Sequence, residues 1–366
     1  METLSFFSGI GGLELGIPEY VNVKCYCDIN QYCKYLITKK FPNKDYYDDI
    51  CTFPKDKYKN INLIMGGFPC QDISNAGKGK GLDGERSGLI WKLLDIIKYY
   101  KPAYIYLENV SNLKNKGLDK IAIFLDELGY DTRWCIIQAS DACALHKRRR
   151  TFILSKNRSK NCNTEFSNKQ YINYNWKTEP NIPRIINNPD KRRIKCLGNA
   201  VVPDQSRLAF HILCGKPNTN TINNIDDSWN NSLTIWKSQK LNTSNLPKYG
   251  SYINGEFYEV NIYLENKAIF PNTIQRFKTT HSLPTPTATD FISRKPTNTI
   301  KSRAFRPGVN KAVNLNRWIE MFPNKNIILP ELDNEGYLKD NKVIVGIVPN
   351  PQWVEWLMGY PIDWTN

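Results

Sequence analysis

Over its first 155 residues the chain alternates short apolar runs with helical spacings, and this alternation constrains its fold more than any other feature. Residues 4–7, 23–27, 61–65, 103–107, 133–139 and 151–154 are apolar runs of strand length. Residues 89–99 and 117–128 carry helical spacing, with Leu118, Ile121, Leu125 and Leu128 on one face. This alternation of strand and helix patterns predicts an α/β domain with a doubly wound, mostly parallel sheet.

Beyond residue 155 the pattern changes. Residues 156–190 are rich in Asn and Lys, poor in apolar side chains, and read as a linker or excursion. Residues 194–213 recover a helical pattern within a segment spanning 191–214. Residues 215–345 mix short strand-like pieces with prolines, aromatics and basic residues, as a smaller irregular domain would. The final segment, 346–366, returns to a compact apolar helix and turn. The chain has 50 basic against 35 acidic side chains, a net charge of +15, which points to a polyanionic partner, nucleic acid ahead of a membrane surface. No apolar run reaches the roughly 18 residues of a membrane span, and the N-terminus opens into a strand rather than the basic start of a signal peptide. Ten cysteines with no paired C-x-x-C spacing read as reduced thiols in an intracellular setting, and no metal site is expected.

Six stretches carry candidate chemistry. Gly66-Gly67-Phe68-Pro69-Cys70-Gln71-Asp72-Ile73-Ser74 follows a buried strand, with glycines to free the backbone and Pro69 to stiffen it. A cysteine on such a loop is either a nucleophile awaiting ionisation or a small buried residue closing a core strand. Phe6-Phe7-Ser8-Gly9-Ile10-Gly11-Gly12 lies between the first strand and first helix, and Asp28 follows about 20 residues on, where a carboxylate holds ribose hydroxyls. Asp49-Ile50 comes where a third strand ends. Together these read as a site for an adenosine-containing cofactor, and the spacing does not separate a nicotinamide dinucleotide from S-adenosylmethionine. Glu108-Asn109-Val110 ends an apolar strand at the sheet edge where doubly wound folds bind ligands. Its carboxylate is either a capping or ion-paired group or an acid with a raised pKa. His146-Lys147-Arg148-Arg149-Arg150 is a solvated basic face or a phosphate patch that leads into a strand; alternation there turns Arg148 and Arg150 to one side and Lys147 and Arg149 to the other. Gly198-Asn199-Ala200-Val201-Val202-Pro203 reads as a turn entering a helix, with Asn199 or Asp204 as a cap.

Taken together, these stretches resemble the DNA (cytosine-5) methyltransferases. Phe68-Pro69-Cys70-Gln71 is similar to the family's nucleophile loop, Glu108-Asn109-Val110 to its acidic motif, and His146-x-Arg148-x-Arg150 overlays its Gln-x-Arg-x-Arg. Gly198-Asn199-Ala200-Val201 resembles the segment that closes over the cofactor, and Glu355-Trp356-Leu357-Met358-Gly359-Tyr360-Pro361 the one that usually precedes it. Their order is rearranged, as in a viral and phage subset. The resemblance implies a Rossmann-like S-adenosylmethionine-dependent fold, with Cys70 as nucleophile and Glu108, Arg148 and Arg150 completing the catalytic set. It implies cofactor contacts from Phe7, Ser8, Gly9, Ile10, Gly11, Gly12, Asp28, Ile29, Asp49, Ile50, Pro69, Leu89, Asn199, Ala200 and Val201. DNA contacts are expected from Gln71 and Ser74, and from Arg294, Arg303 and Arg306 in a target-recognition region at 215–345, with residues 1–155 as the catalytic and cofactor-binding domain. The expected partner is double-stranded DNA bound by a monomer in a microbial or virus-infected cell, with a cognate restriction or nicking endonuclease beside it. Two alternatives stay open at this point, an RNA (tRNA) cytosine-5 methyltransferase and a non-catalytic DNA-binding relative.

Overall fold

The structure, a computed structural model, describes residues 1–69, 89–160, 179–184, 186, 189–214, 246–259, 285–287 and 349–366. The chain divides into two compact units. The first comprises residues 1–142, 149–173 and 201–269; the second comprises residues 143–148, 174–200 and 270–366.

The first unit holds a nine-stranded sheet. In chain order its elements are β1 (Glu2–Phe6), α1 (Gly12–Gly16), β2 (Asn22–Cys27), α2 (Gln31–Lys40), β3 (Asp45–Tyr47), β4 (Leu63–Gly67), α3 (Leu89–Tyr100), β5 (Tyr104–Val110), α4 (Leu118–Glu127), β6 (Tyr130–Ile137) and β7 (Arg150–Asn157). Beyond the second unit's α5 (Lys191–Asn199) come α6 (Pro203–Leu213), β8 (Tyr249–Ile253) and β9 (Glu256–Glu259). The strand order is β3-β2-β1-β4-β5-β7-β6-β8-β9. From β3 to β5 every pairing is parallel; from β5 outward every pairing is antiparallel. β7 and β8 therefore run against the other strands. A run of buried apolar residues looks the same in either direction, so the sequence pattern located β7 without showing its reversal.

The alternation of side chains splits the core in two. Leu4, Phe6, Ile64, Ile105 and Leu107 face α3 and α4, which present Leu93, Leu94, Ile97, Ile121 and Leu125. Leu63, Met65, Tyr106, Phe152 and Leu154 face the other way, against Leu13 of α1, Ile17 just beyond it, and Phe210 and Leu213 of α6. Helices thus cover both faces, as the strand–helix alternation predicts. β8 and β9 fall within the stretch expected to be the recognition region, yet they extend this sheet as a hairpin. Gly250 sits opposite Trp134 because a Cβ there would lie 2.2 Å from the indole, whose Nε1 donates to the Pro247 carbonyl at 3.1 Å.

The helical pattern at 194–213 resolves into two helices broken at Ala200–Val202, since Pro203 begins α6 and cannot continue α5. Neither expected cap forms. Asp190 caps α5 through the Arg192 amide, Asn199 is the last residue of that helix, and Asp204 lies inside the first turn of α6. α1 packs on α6 at Gly16, where an added Cβ would sit 2.6 Å from the Ser206 Cβ and 2.7 Å from the Pro203 carbonyl. Gly16→Ala is expected to cost about 1–3 kcal/mol through overpacking against backbone. Thermal denaturation should show the midpoint fall by about 2–4 °C per kcal/mol.

In the second unit, α5 packs on α7 (Pro351–Leu357). Glu355 of α7 is fully buried and accepts from Arg193 at 2.9 Å, the Asp363 amide at 2.6 Å, the Thr365 amide at 2.8 Å and the Thr365 hydroxyl. Arg184 is held bidentate by Glu179, which also accepts from the Trp353 indole at 2.8 Å. Each buried charge meets an opposite charge and further hydrogen bonds, the condition under which such pairs are tolerated.

Candidate active site

The strand order reverses beside β1. The chain steps outward to β2 and β3 and then returns to β4 on the other side. A crevice opens at such a switch point, at the carboxyl ends of the strands, and there open α/β sheets bind ligands. Phe6 pairs with Cys27 and Gly66, and Gly67 with Glu108, so the ends of β2, β1, β4 and β5 share one edge.

Behind β1 the loop turns sharply. Phe7 lies at φ +53°, an uncommon left-handed conformation for an aromatic residue, followed by Gly9 at +54° and Gly11 at +82°. A Cβ on Gly9 would meet nothing within 4 Å, so space is open there. Asp28 fixes this loop: one carboxylate oxygen accepts from the Gly9 amide at 2.8 Å and the other from the Asn30 amide at 2.9 Å. Burial pushes the Asp28 carboxyl up, against the pull of those two amides. Ile29 beside it is 77% exposed, a large apolar side chain with no cover of its own, whereas Ile10 is buried. Ser8 donates its amide to the Cys27 carbonyl at 3.2 Å, and Gly12 opens α1. Asp49 caps the single turn Ile50–Thr52 through the Cys51 amide at 2.9 Å, with Ile50 buried beneath it. Open space over a glycine loop, an uncovered apolar side chain and an adjacent carboxylate fit an adenosyl group, with hydroxyls for Asp28 and a flat ring for Ile29.

At β4 the two glycines act differently from the expectation. Gly66 and Gly67 stay in extended strand rather than releasing the backbone. They permit close approach: a Cβ on Gly66 would lie 2.7 Å from the Phe6 carbonyl, and one on Gly67 3.1 Å from Oε2 of Glu108. Glu108, only 8% exposed, pairs with Arg150 Nε at 3.0 Å. The antiparallel direction of β7 explains the pair, since β7 begins where β5 ends and Arg150 stands opposite Val110. Asn109, which the sequence reading does not single out as a site residue, donates Nδ2 to the Phe68 carbonyl at 3.1 Å and so holds the strand exit that leads to Pro69. Its place within Glu-Asn-Val was the available signal. Leu89 opens α3 and packs on the core.

Arg148 does not follow the strand alternation, because β7 starts two residues later and Arg148 has φ +23°. It belongs to the second unit, is 4% exposed, and bonds the carbonyls of Gly198 at 3.1 Å, Ala200 at 2.6 Å and Pro286 at 3.1 Å, with its own amide on Thr285. Its guanidinium braces the Gly198–Ala200 turn, where Ala200 is buried and Asn199 exposed. His146 is fully buried in the same unit, and Val201 returns to the first. Cys70, Gln71, Ser74, Arg294, Arg303 and Arg306 lie outside the described residues. Among the described residues no cluster is placed to hold a metal ion, and no helix is long and apolar enough to cross a membrane.

Comparison with known proteins matches the sequence to a family. The sequence profile of the C-5 cytosine-specific DNA methylases matches residues 1–306. The chain is 29% identical over 270 residues to the type II methyltransferase M.CviJI of Paramecium bursaria Chlorella virus IL3A, a match covering 71% of this chain and 70% of the viral enzyme. It is 33% identical over 164 residues to the type II methyltransferase M2.BsuMI of Bacillus subtilis strain 168, covering 42% of each chain. Among solved structures, S. pombe Dnmt2 methyltransferase superposes with a TM-score of 0.38 at 21% identity, covering 44% of this chain and 52% of that one. The chain belongs to the C-5 cytosine-specific DNA methylases, enzymes that transfer a methyl group from S-adenosylmethionine to carbon 5 of cytosine in DNA.

Proposed function

We propose that Cys70, Glu108 and Arg150 carry the family's reaction in this chain, with the cofactor held by the loop 7–12, Asp28, Ile29 and the Asp49–Ile50 turn. The observation that carries this reading is the Glu108–Arg150 pair at 3.0 Å, at the same sheet edge as the glycine loop and the entrance to the Pro69-Cys70 segment. A cytosine inside a duplex is out of reach of that edge, so it must first leave the stack. The Cys70 thiolate adds to carbon 6, and Glu108 stabilises or protonates N3 with Arg150 fixing its carboxylate. Electron density then rises at carbon 5, which attacks the methyl group. The bound cofactor supplies that electrophilic methyl. Loss of the carbon 5 proton to a base lets the Cys70 sulfur depart and restores the aromatic ring. Pro69 and Leu89 line the cofactor side. The resemblance assigns Asn199, Ala200 and Val201 to the segment that closes over the cofactor, and Arg148 braces their turn.

Gln71 and Ser74 are assigned to the DNA backbone around the flipped base. Arg294, Arg303 and Arg306, in the basic stretch 215–345, are assigned to sequence reading, since arginine matches the guanine edge in the major groove. We assign the protein to the interior of a microbial or virus-infected cell, as a monomer working beside an endonuclease of matching specificity. The type II methyltransferase names of its relatives support that pairing.

The test is a substrate duplex carrying 5-fluorocytosine at the target. Fluorine does not leave as a proton does, so the Cys70 adduct should survive a denaturing gel in a cofactor-dependent manner. Absence of any such band with a duplex that is otherwise methylated overturns the covalent assignment.

A further inference from the structure

Glu14 is unused by this mechanism and lies directly behind the glycine loop, on α1. It is 5% exposed. The Ser5 hydroxyl of β1 donates to its Oε1, while Oε2 meets no hydrogen-bond partner among the described residues. A buried carboxylate with an orphaned oxygen is costly when charged and far less so when it carries a proton. Burial accordingly pushes Glu14 up to about 7, with Asp28 adding to the rise and Ser5 opposing it. Asp28 is the carboxylate that pins Gly9.

We propose that Glu14 is a positioning residue for the cofactor loop: as a neutral acid it ties α1 to β1 and spares Asp28 a like charge, and its ionisation loosens the hold of Asp28 on Gly9 and weakens cofactor binding. The inference rests on the assignment of residues 7–12 and Asp28 to the cofactor. Tyr26 of β2 also faces this region, its hydroxyl held neutral by burial. On α6, packed against α1, the charged groups are Asp204, pushed up to about 7 by burial, His211, whose pKa burial lowers, and Arg207, paired with Glu19 at 3.0 Å. On α2, Lys34 is committed to Asp48 at 2.9 Å. Within this set Glu14 alone both contacts β1 and couples to Asp28.

The sign follows from linkage. The folded pKa of Glu14 lies above its unfolded value near 4.5, so its favourable contribution is complete below that value and is lost as pH rises through about 7. Cofactor affinity, which follows the fraction of folded protein with Glu14 neutral, falls as pH rises past about 7. The experiment measures S-adenosylmethionine binding by calorimetry between pH 6 and pH 8.5 in the full-length protein, its Glu14→Gln variant and its Asp28→Asn variant. By pH 8 wild type is expected to bind about tenfold more weakly relative to Glu14→Gln than at pH 6, since one pH unit past the pKa is a factor of ten. Parallel profiles for wild type and Glu14→Gln overturn the proposal, provided Asp28→Asn has lost binding at every pH. Normal binding by Asp28→Asn instead removes the cofactor-site reading itself, and the proposal with it. Should Glu14→Gln fail to fold, Ser5→Ala serves: it removes the hydroxyl that lowers the Glu14 pKa and should carry the break in the profile to higher pH. An unmoved break counts against the assignment.

Discussion

Replacing Cys70 by serine should bring tritiated methyl incorporation to background while binding to the substrate duplex stays intact in a gel-shift. The reason is chemical. A thiol with a pKa of about 8.5 supplies some thiolate at neutral pH and more with help, whereas a serine hydroxyl supplies essentially none without an adjacent base. Sulfur must also depart in the last step, and an alkoxide is a poor leaving group. The approach to the loop is fixed by groups the substitution does not touch: the Asn109 amide on the Phe68 carbonyl, and Gly66 pressed against the Phe6 carbonyl. Duplex binding depends mainly on phosphate contacts and should survive. Robust turnover by Cys70→Ser would remove the nucleophile assignment.

The second large effect is expected for Glu108→Gln. The amide keeps the shape and an acceptor for Arg150, but it neither balances the guanidinium charge nor offers a proton to N3. General acids commonly supply a factor of about 10²–10⁴, so single-turnover methylation should slow by at least roughly a hundredfold. S-adenosylmethionine affinity should barely change, because the Asp28–Gly9 and Asp49–Cys51 bonds that shape that side are independent of Glu108. A split of slowed chemistry with unchanged cofactor binding is the diagnostic result. Weakened cofactor binding with normal chemistry reverses the assignment.

The sheet, its helical covers and the places of Asp28, Asp49 and Glu108 were legible in the sequence because each depends on local periodicity or on a strand end. Leu4 and Phe6 alternate, Leu118, Ile121 and Leu125 repeat, and both signals survive folding unchanged. What escaped depends on pairings between distant segments. The reversal of β7, and with it the meeting of Arg150 with Glu108, is set by register with β5. Arg148 departs from the alternation because it precedes the strand by two residues and has φ +23°. The small size of Gly66 and Gly67 serves close approach to Phe6 and Glu108 rather than backbone freedom, a contact that local pattern does not show. Glu14 carried a faint signal, an acid amid apolar neighbours in a five-residue helix, but only its contact with Ser5 gives that acid a meaning.

The direction of β7 also sorts the protein's connections by what they can absorb. The segment between Ile137 and Arg150 emerges at the edge that holds the reactive groups, so any length gained or lost there is felt by Glu108 and its partner. The chain leaving β7 at Asn157 emerges at the opposite edge, where Ala103 and Gly129 receive it. A residue inserted just before Arg150 would shift its register against β5, whereas one inserted after Asn157 leaves the Glu108–Arg150 pair in place. That asymmetry follows from one reversed strand rather than from any loop's own composition.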